Sequence, residues 1–225
     1  MKNKKMLGNC LLTLAALIWG TAFAAQRVGM EKIEPMTFNA ARMALAAVAI
    51  ALVAAALGPG ERKNVSLRNP EEEKRYKKNT IFGGIGCGIF LAAASIFQQM
   101  GLVYMTAGKA GFITAMYMLF VPIINFLLFK KKNTWLVWLA VFIGITGMYF
   151  LCMTEGFYFA YEDTLMCICA VLFSGHILCC DRFVRFGNPI WISMIQFITA
   201  TVISTIAALI METPTLEKIL SAAVP

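Results

Sequence analysis

Seven apolar runs near the length of a bilayer crossing succeed one another along this chain, at about residues 6–26, 36–57, 80–104, 110–129, 134–153, 164–180 and 190–211. A helix rises 1.5 Å per residue, so roughly 20 residues cross the hydrocarbon core. With 60% hydrophobic and 14% charged residues, the chain has too little polar surface to cover so many runs in water. The solvent they imply is lipid. Open strand edges would find no hydrogen-bond partners there, so helices are the default over a barrel. The sequence predicts an all-α integral membrane protein, a polytopic bundle of seven helices.

Charge placement orients that bundle. With the N-terminus in the cytoplasm, the inner segments hold Lys2, Lys4 and Lys5, the cluster from Arg62 to Lys78, Lys130 to Lys132, Arg182 and Arg185. The outer segments hold only Arg27, Lys32, Lys109 and Lys218. This is a positive-inside bias. The net charge of +8 therefore reports topology and not a nucleic-acid partner. The stretch GERKNVSLRNPEEEKRYKK reads as a solvated cytoplasmic connector, its basic character diluted by Glu71, Glu72 and Glu73. The opening MKNKK with a following AFA imitates a secretory signal, but the first run is expected to be kept as a helix. Seven cysteines lie mostly within or near the spans and read as small apolar fillers, not as a disulfide framework.

The second run, MTFNAARMALAAVAIALVAAAL, carries Arg42 well inside its boundaries. Arg42 lies roughly 9 Å below the outer surface, and Gln98 and Gln99 on the third helix lie at about the same depth. Trp19 is roughly 10 Å down on the first helix. Asn39, three residues before Arg42, shares its helix face. These five side chains define one layer in the outer half. A charge facing lipid costs about 2.5–3.5 kcal/mol on insertion scales, so Arg42 is expected to face the bundle interior. Snorkelling to the outer surface is the competing fate, on the side disfavoured for positive charge. Tyr117 and Asn125 share a broad face of the fourth helix, which Pro122 can kink. Gly84 with Gly88, and Gly144 with Gly147, are expected to let helices approach closely.

Sliding the chain against itself by 154 residues sets Pro35 on Pro189, Arg42 on Gln196 and Trp19 on Phe173, with no gap from residue 11 to 55. Five helices separate each residue from its counterpart, so the copies would be inverted in the membrane. Inverted repeats recur among secondary transporters, with the substrate site between them. The second copy of the polar layer then falls in the inner half, at His176 and Gln196. All twelve acidic residues lie outside the spans or at their margins. No buried carboxylate is thus expected as a proton relay, so proton coupling would need His176 or the helices missing from the second copy, or there is no coupling at all.

The stretches LAALIWGTAFAAQRVGMEKIEPMTFNAARMALA and QQMGLVYMTAGKAGFITAMYMLFVPIINFLL resemble the first helix pair and the third-to-fourth helix region of EamA-type transporters of the drug/metabolite transporter superfamily. The resemblance implies two inverted five-helix repeats, the first over residues 6–153 and the second beginning at 164 and incomplete at 225. It implies a secondary transporter, commonly an exporter, for a small-molecule substrate such as a metabolite, an amino acid or a drug. No cofactor, metal or enzymatic step is expected, and the chain is expected to be a multi-pass protein of the cell membrane in contact with the lipid bilayer. The residues expected to line the path are Trp19, Asn39, Arg42, Gln98, Gln99, Tyr117, Asn125, His176 and Gln196. Two other classes compete: a membrane scaffold or half-transporter that forms a homodimer, and a membrane-embedded enzyme. The acidic outer loop with Glu155, Glu162 and Asp163 has no histidine, which leaves the enzyme without a catalytic cluster.

Overall fold

The computed structural model describes residues 2–65, 69–130, 133–153 and 160–214. Among these, every regular element is a helix: α1 (Lys2–Gly29), α2 (Pro35–Val65), α3 (Pro70–Leu102), α4 (Ala107–Ala115), α5 (Tyr117–Phe129), α6 (Trp135–Met153), α7 (Tyr161–Val184) and α8 (Pro189–Met211). Six spans are long and apolar enough to cross a membrane, with α4 and α5 counted as one, and α6 contributes a shorter apolar stretch. The chain is an all-α polytopic membrane protein.

Two boundaries differ from the expectation. The connector read as solvated coil is mostly helix, because α2 continues to Val65 and α3 already starts at Pro70. Local chemistry explains the early start of α3. Pro70 occupies the first turn, where its missing N–H costs nothing, and Glu71, Glu72 and Glu73 face the positive end of the helix dipole. Glu73 also pairs with Lys77 one turn on, at 2.5 Å. The fourth run is also not one continuous helix. At Met116 the backbone tightens to i−3 bonding, Met116 N to Ile113 O at 3.1 Å and Leu119 N to Met116 O at 2.8 Å. Tyr117 and Asn125 therefore both belong to α5. Pro122 sits inside α5, and its carbonyl accepts from Asn133 Nδ2 at 2.8 Å.

The helix α3 is the central pillar, packed along α7 and α8, while α2 packs along α8. Glycines permit that approach. A Cβ at Gly84 would lie 2.5 Å from Ile195 Cβ, and one at Gly88 would lie 2.5 Å from Thr199 Cβ and 2.8 Å from Gln196 O. The two glycines are a close-packing groove for α8. The core joins Met43, Leu91, Ala92, Cys169, Phe173 and Ala200 from α2, α3, α7 and α8. Large apolar side chains such as Leu45, Leu128 and Ile210 point outward at 72%, 72% and 78% exposure. In water such a surface would aggregate; against acyl chains it is the expected exterior.

Candidate functional site

Polar side chains inside this bundle gather in two places, one toward the Pro35 end and one toward the Pro189 end. At the Pro35 end, Arg42 turns inward. Its Nη1 donates to Gln26 Oε1 at 2.5 Å and its Nη2 to Asn39 Oδ1 at 2.8 Å. Gln99 Nε2 donates to the same Gln26 oxygen at 2.6 Å. Asn39 is fully buried, and its Nδ2 lies 3.2 Å from Ser95 Oγ and 3.0 Å from Ser204 Oγ. One network thus ties α1, α2, α3 and α8 together. Gln98 lies beside it, with Nε2 3.5 Å from Thr114 Oγ1 on α4.

The electrostatics of this layer are unbalanced. Among the described residues Arg42 forms no ion pair, and its partners are neutral amide oxygens. Arg42 Nε and Gln99 Oε1 are both buried without a hydrogen-bond partner among the described residues. A buried cation without a counter-ion costs several kcal/mol, and each unmade hydrogen bond adds about 1–3 kcal/mol. The layer therefore offers one donor and one acceptor, next to a positive charge.

Toward the Pro189 end, His176 Nε2 lies 3.1 Å from Gln196 Oε1, joining α7 to α8. An amide oxygen can only accept, so Nε2 is the donor in this pair. Cys180 Sγ lies 3.5 Å from the same nitrogen, 3.9 Å from Gln196 Oε1 and 3.4 Å from Cys87 Sγ on α3. These cysteines are free thiols, as are Cys10, Cys167, Cys169 and Cys179. Between the two layers stands an aromatic group. Trp19, Tyr117 and Phe173 meet pairwise at centroid distances of 6.3, 6.4 and 6.5 Å, and Phe173 also stacks edge-on against His176 at 6.4 Å.

The Pro35 end is fastened by three further sets of contacts. Glu212, just past α8, accepts from Met36 N, Thr37 N and Thr37 Oγ1, each at 2.7 Å. It caps the first turn of α2, whose N–H groups have no intrahelical partners. Lys109 on α4 pairs with Asp163 on α7 at 3.0 Å, and Asp163 also accepts from Ala160 N at 3.1 Å. Arg27 reaches the carbonyls of Leu102 and Met105, binding the end of α1 to that of α3.

The structure thus sorts the residues singled out from sequence. Asn39, Arg42 and Gln99 come together, with Gln98 adjacent. His176 and Gln196 come together in the other layer. Trp19 does not join Arg42; it belongs with Tyr117 and with Phe173, its counterpart at the 154-residue offset, and is 51% exposed. Asn125 stands apart on α5, its carbonyl accepting from Lys130 N and its side chain outside both layers. Sequence reasoning missed Gln26, Ser95, Thr114, Ser204 and Glu212. A signal existed for Gln26, a lone amide in the last turns of a span that ends at the same surface as Arg42. Ser95 precedes Gln98 and Gln99 by one turn, which places it on their face. Ser204 had no signal, because an isolated serine is ordinary in a membrane helix.

The described helices thus form a polytopic membrane bundle that holds an uncompensated cation among interior amides. The family comparison agrees: residues 6–153 match the EamA-like transporter family, and the chain belongs to that family. It is 28% identical over 201 residues to an uncharacterized transporter of Archaeoglobus fulgidus, covering 89% of this chain and 58% of that protein. It is also 28% identical over 150 residues to the uncharacterized transporter YoaV of Bacillus subtilis, covering 66% of this chain and 46% of that protein. The chain thus spans about half the length of these curated relatives. No solved structure matches it.

Proposed function

We propose that this chain forms the solute path of a secondary transporter, in which the layer of Arg42, Gln26, Asn39 and Gln99 receives a small molecule bearing an acceptor group. The observation that carries this reading is the inward-facing Arg42, held by neutral oxygens from two helices with its Nε left unpaired. A structural arginine would be expected to satisfy its charge internally; this one is arranged to accept an outside partner. Carboxylates and zwitterions such as an amino acid fit that demand. The aromatic group of Trp19, Tyr117 and Phe173 gives an apolar body a place beside it.

The reading includes an inverted repeat, residues 6–153 against the segment from 164 onward. Three contacts support it. At the 154-residue offset Gln26 corresponds to Cys180 and Arg42 to Gln196, and both pairs touch, at 2.5 and 3.9 Å. Trp19 and its own counterpart Phe173 meet at 6.4 Å, as residues beside a two-fold axis must. Alternating access then consists of opening one layer while the other stays packed. The Glu212 and Lys109–Asp163 contacts hold the Pro35 end closed in the described conformation. Charge placement supports an outward-facing position for that end in the cell membrane, with the N-terminus cytoplasmic, and the family resemblance supports export as the direction.

Counterflow in proteoliposomes with a labelled panel of amino acids, aromatic acids and hydrophobic cations tests this. At least one solute should accumulate with the native chain, and Arg42→Ala at equal membrane density should abolish it. Undiminished flux in that variant removes Arg42 from the path.

A further inference from the structure

The strongest unassigned feature lies at the opposite end of the pillar from Arg42, where the start of α3 meets the end of α7. Two adjoining hollows of about 430 Å³ and about 210 Å³ open there, sharing Arg75, Asn79 and Phe186 in their walls. Arg185 lines the larger and Arg182 the smaller. We infer that this notch binds the phosphodiester headgroup of an anionic phospholipid.

The charges fit that ligand. Arg185 is held by Asp181 at 2.8 Å, and Glu72 also lines the larger hollow. Three guanidiniums thus face two carboxylates, which leaves one positive charge for one phosphodiester anion. Arg75 forms no ion pair or hydrogen bond among the described residues, so its donors are available. Arg182 lies over the Phe186 ring at 5.4 Å, which fixes its plane while leaving its edge open for bidentate contact. Asn79 Nδ2 reaches Phe186 O at 3.4 Å and closes the floor between the helices.

An apolar stripe that leads away from the notch at Arg75 argues for a lipid over a free phosphate. Along α3, Arg75, Lys78, Phe82 and Ile85 recur at helical spacing, so they form one stripe. Lys78 stands over the Phe82 ring at 5.6 Å, and Phe82 and Ile85 are exposed beyond it. The stripe runs from cation to aromatic to aliphatic, the polarity order of a headgroup and its acyl chain at an interface. Basic pockets between helix ends on the positive side of a membrane protein are suited to anionic headgroups. None of these residues belongs to the Arg42 layer, so the inference stands or falls apart from the transport reading.

Thermal unfolding of the whole chain in neutral detergent tests it, with short-chain phosphatidylglycerol, short-chain phosphatidylcholine or inorganic phosphate added at equal ionic strength. Phosphatidylglycerol should raise the midpoint about 3–6 °C above phosphatidylcholine at tenfold saturation. Arg75→Gln with Arg182→Gln should remove at least half of that difference. Lys74→Gln with Lys130→Gln, matched in charge but lining neither hollow, should keep it. Equal shifts from the two lipids, an equal shift from inorganic phosphate, or an equal loss in the Lys74 and Lys130 variant would each overturn the assignment.

Discussion

The layer at the Pro35 end and the layer at the Pro189 end use the same skeleton with opposite chemistry. In each, a residue of α2 or α8 reaches a residue of α1 or α7, and α3 supplies a third partner. Toward Pro35 those partners are Arg42, Gln26 and Gln99, which leave a charge, a donor and an acceptor unsatisfied. Toward Pro189 they are Gln196, Cys180 and Cys87, with His176 donating to Gln196, and the set is formally neutral. Similar geometry therefore does not imply similar function. In the proposed transport reading, the cationic layer gains from a bound solute, whereas the neutral layer, already bonded within itself, serves as packing that parts and re-forms.

Substitutions can break that comparison, beginning with the largest effect. Arg42→Leu should lower counterflow about 30-fold or more, the equivalent of about 2 kcal/mol of charge-assisted hydrogen bonding. Gln196→Leu removes only neutral hydrogen bonds and should lower it about fivefold, near 1 kcal/mol. Equal losses in the two variants would show that both layers contact solute alike. Gly88→Ala probes the groove behind Gln196. Its new Cβ would meet Thr199 Cβ and Gln196 O, so unfolding should occur about 1–3 kcal/mol more easily, while Gly20→Ala, with nothing within 4 Å, should be tolerated.

A third comparison sets the fastening of the Pro35 end against the network beneath it. Glu212→Ala deletes the cap on α2 and should cost about 1 kcal/mol of stability, read as a lower unfolding midpoint. It should also increase labelling by a membrane-impermeant thiol reagent of a cysteine introduced at Gln99. If labelling stays constant, the carboxylate is a cap and nothing more. Ser204→Ala is the mildest change. Asn39 keeps Ser95 as a partner, so the loss should stay at about 0.5–1 kcal/mol with flux nearly intact.

Much of this arrangement was legible before any coordinates. Hydropathy located the helices because burial in lipid is a property of each segment by itself. The inward turn of Arg42 followed from the cost of a guanidinium in hydrocarbon, and Asn39 from a spacing of three on the same helix. Gly84 and Gly88 announced a close helix approach for the same reason, and the structure showed that α8 makes it. Other features failed where the deciding contact lay on another helix. The break at Met116 left no proline or glycine at the break itself, and the helical start of α3 was masked by a run of charges that also suits a solvated loop. Trp19 was expected in the Arg42 layer but stands with Tyr117 and Phe173, between the two layers.

What the sequence alone determined is the set of spans, their alternation and the presence of one interior cation, since each depends on composition within about 20 residues. Tertiary structure alone decided that Gln26 stands between Arg42 and Gln99, that Ser204 closes on Asn39 and that Glu212 caps α2. Those partners lie 16 to 176 residues apart in the chain, and their meeting depends on the rotation of each helix about its axis. Rotation is set by how side chains interlock between neighbours, through glycine grooves and buried hydrogen bonds, and no single segment encodes it.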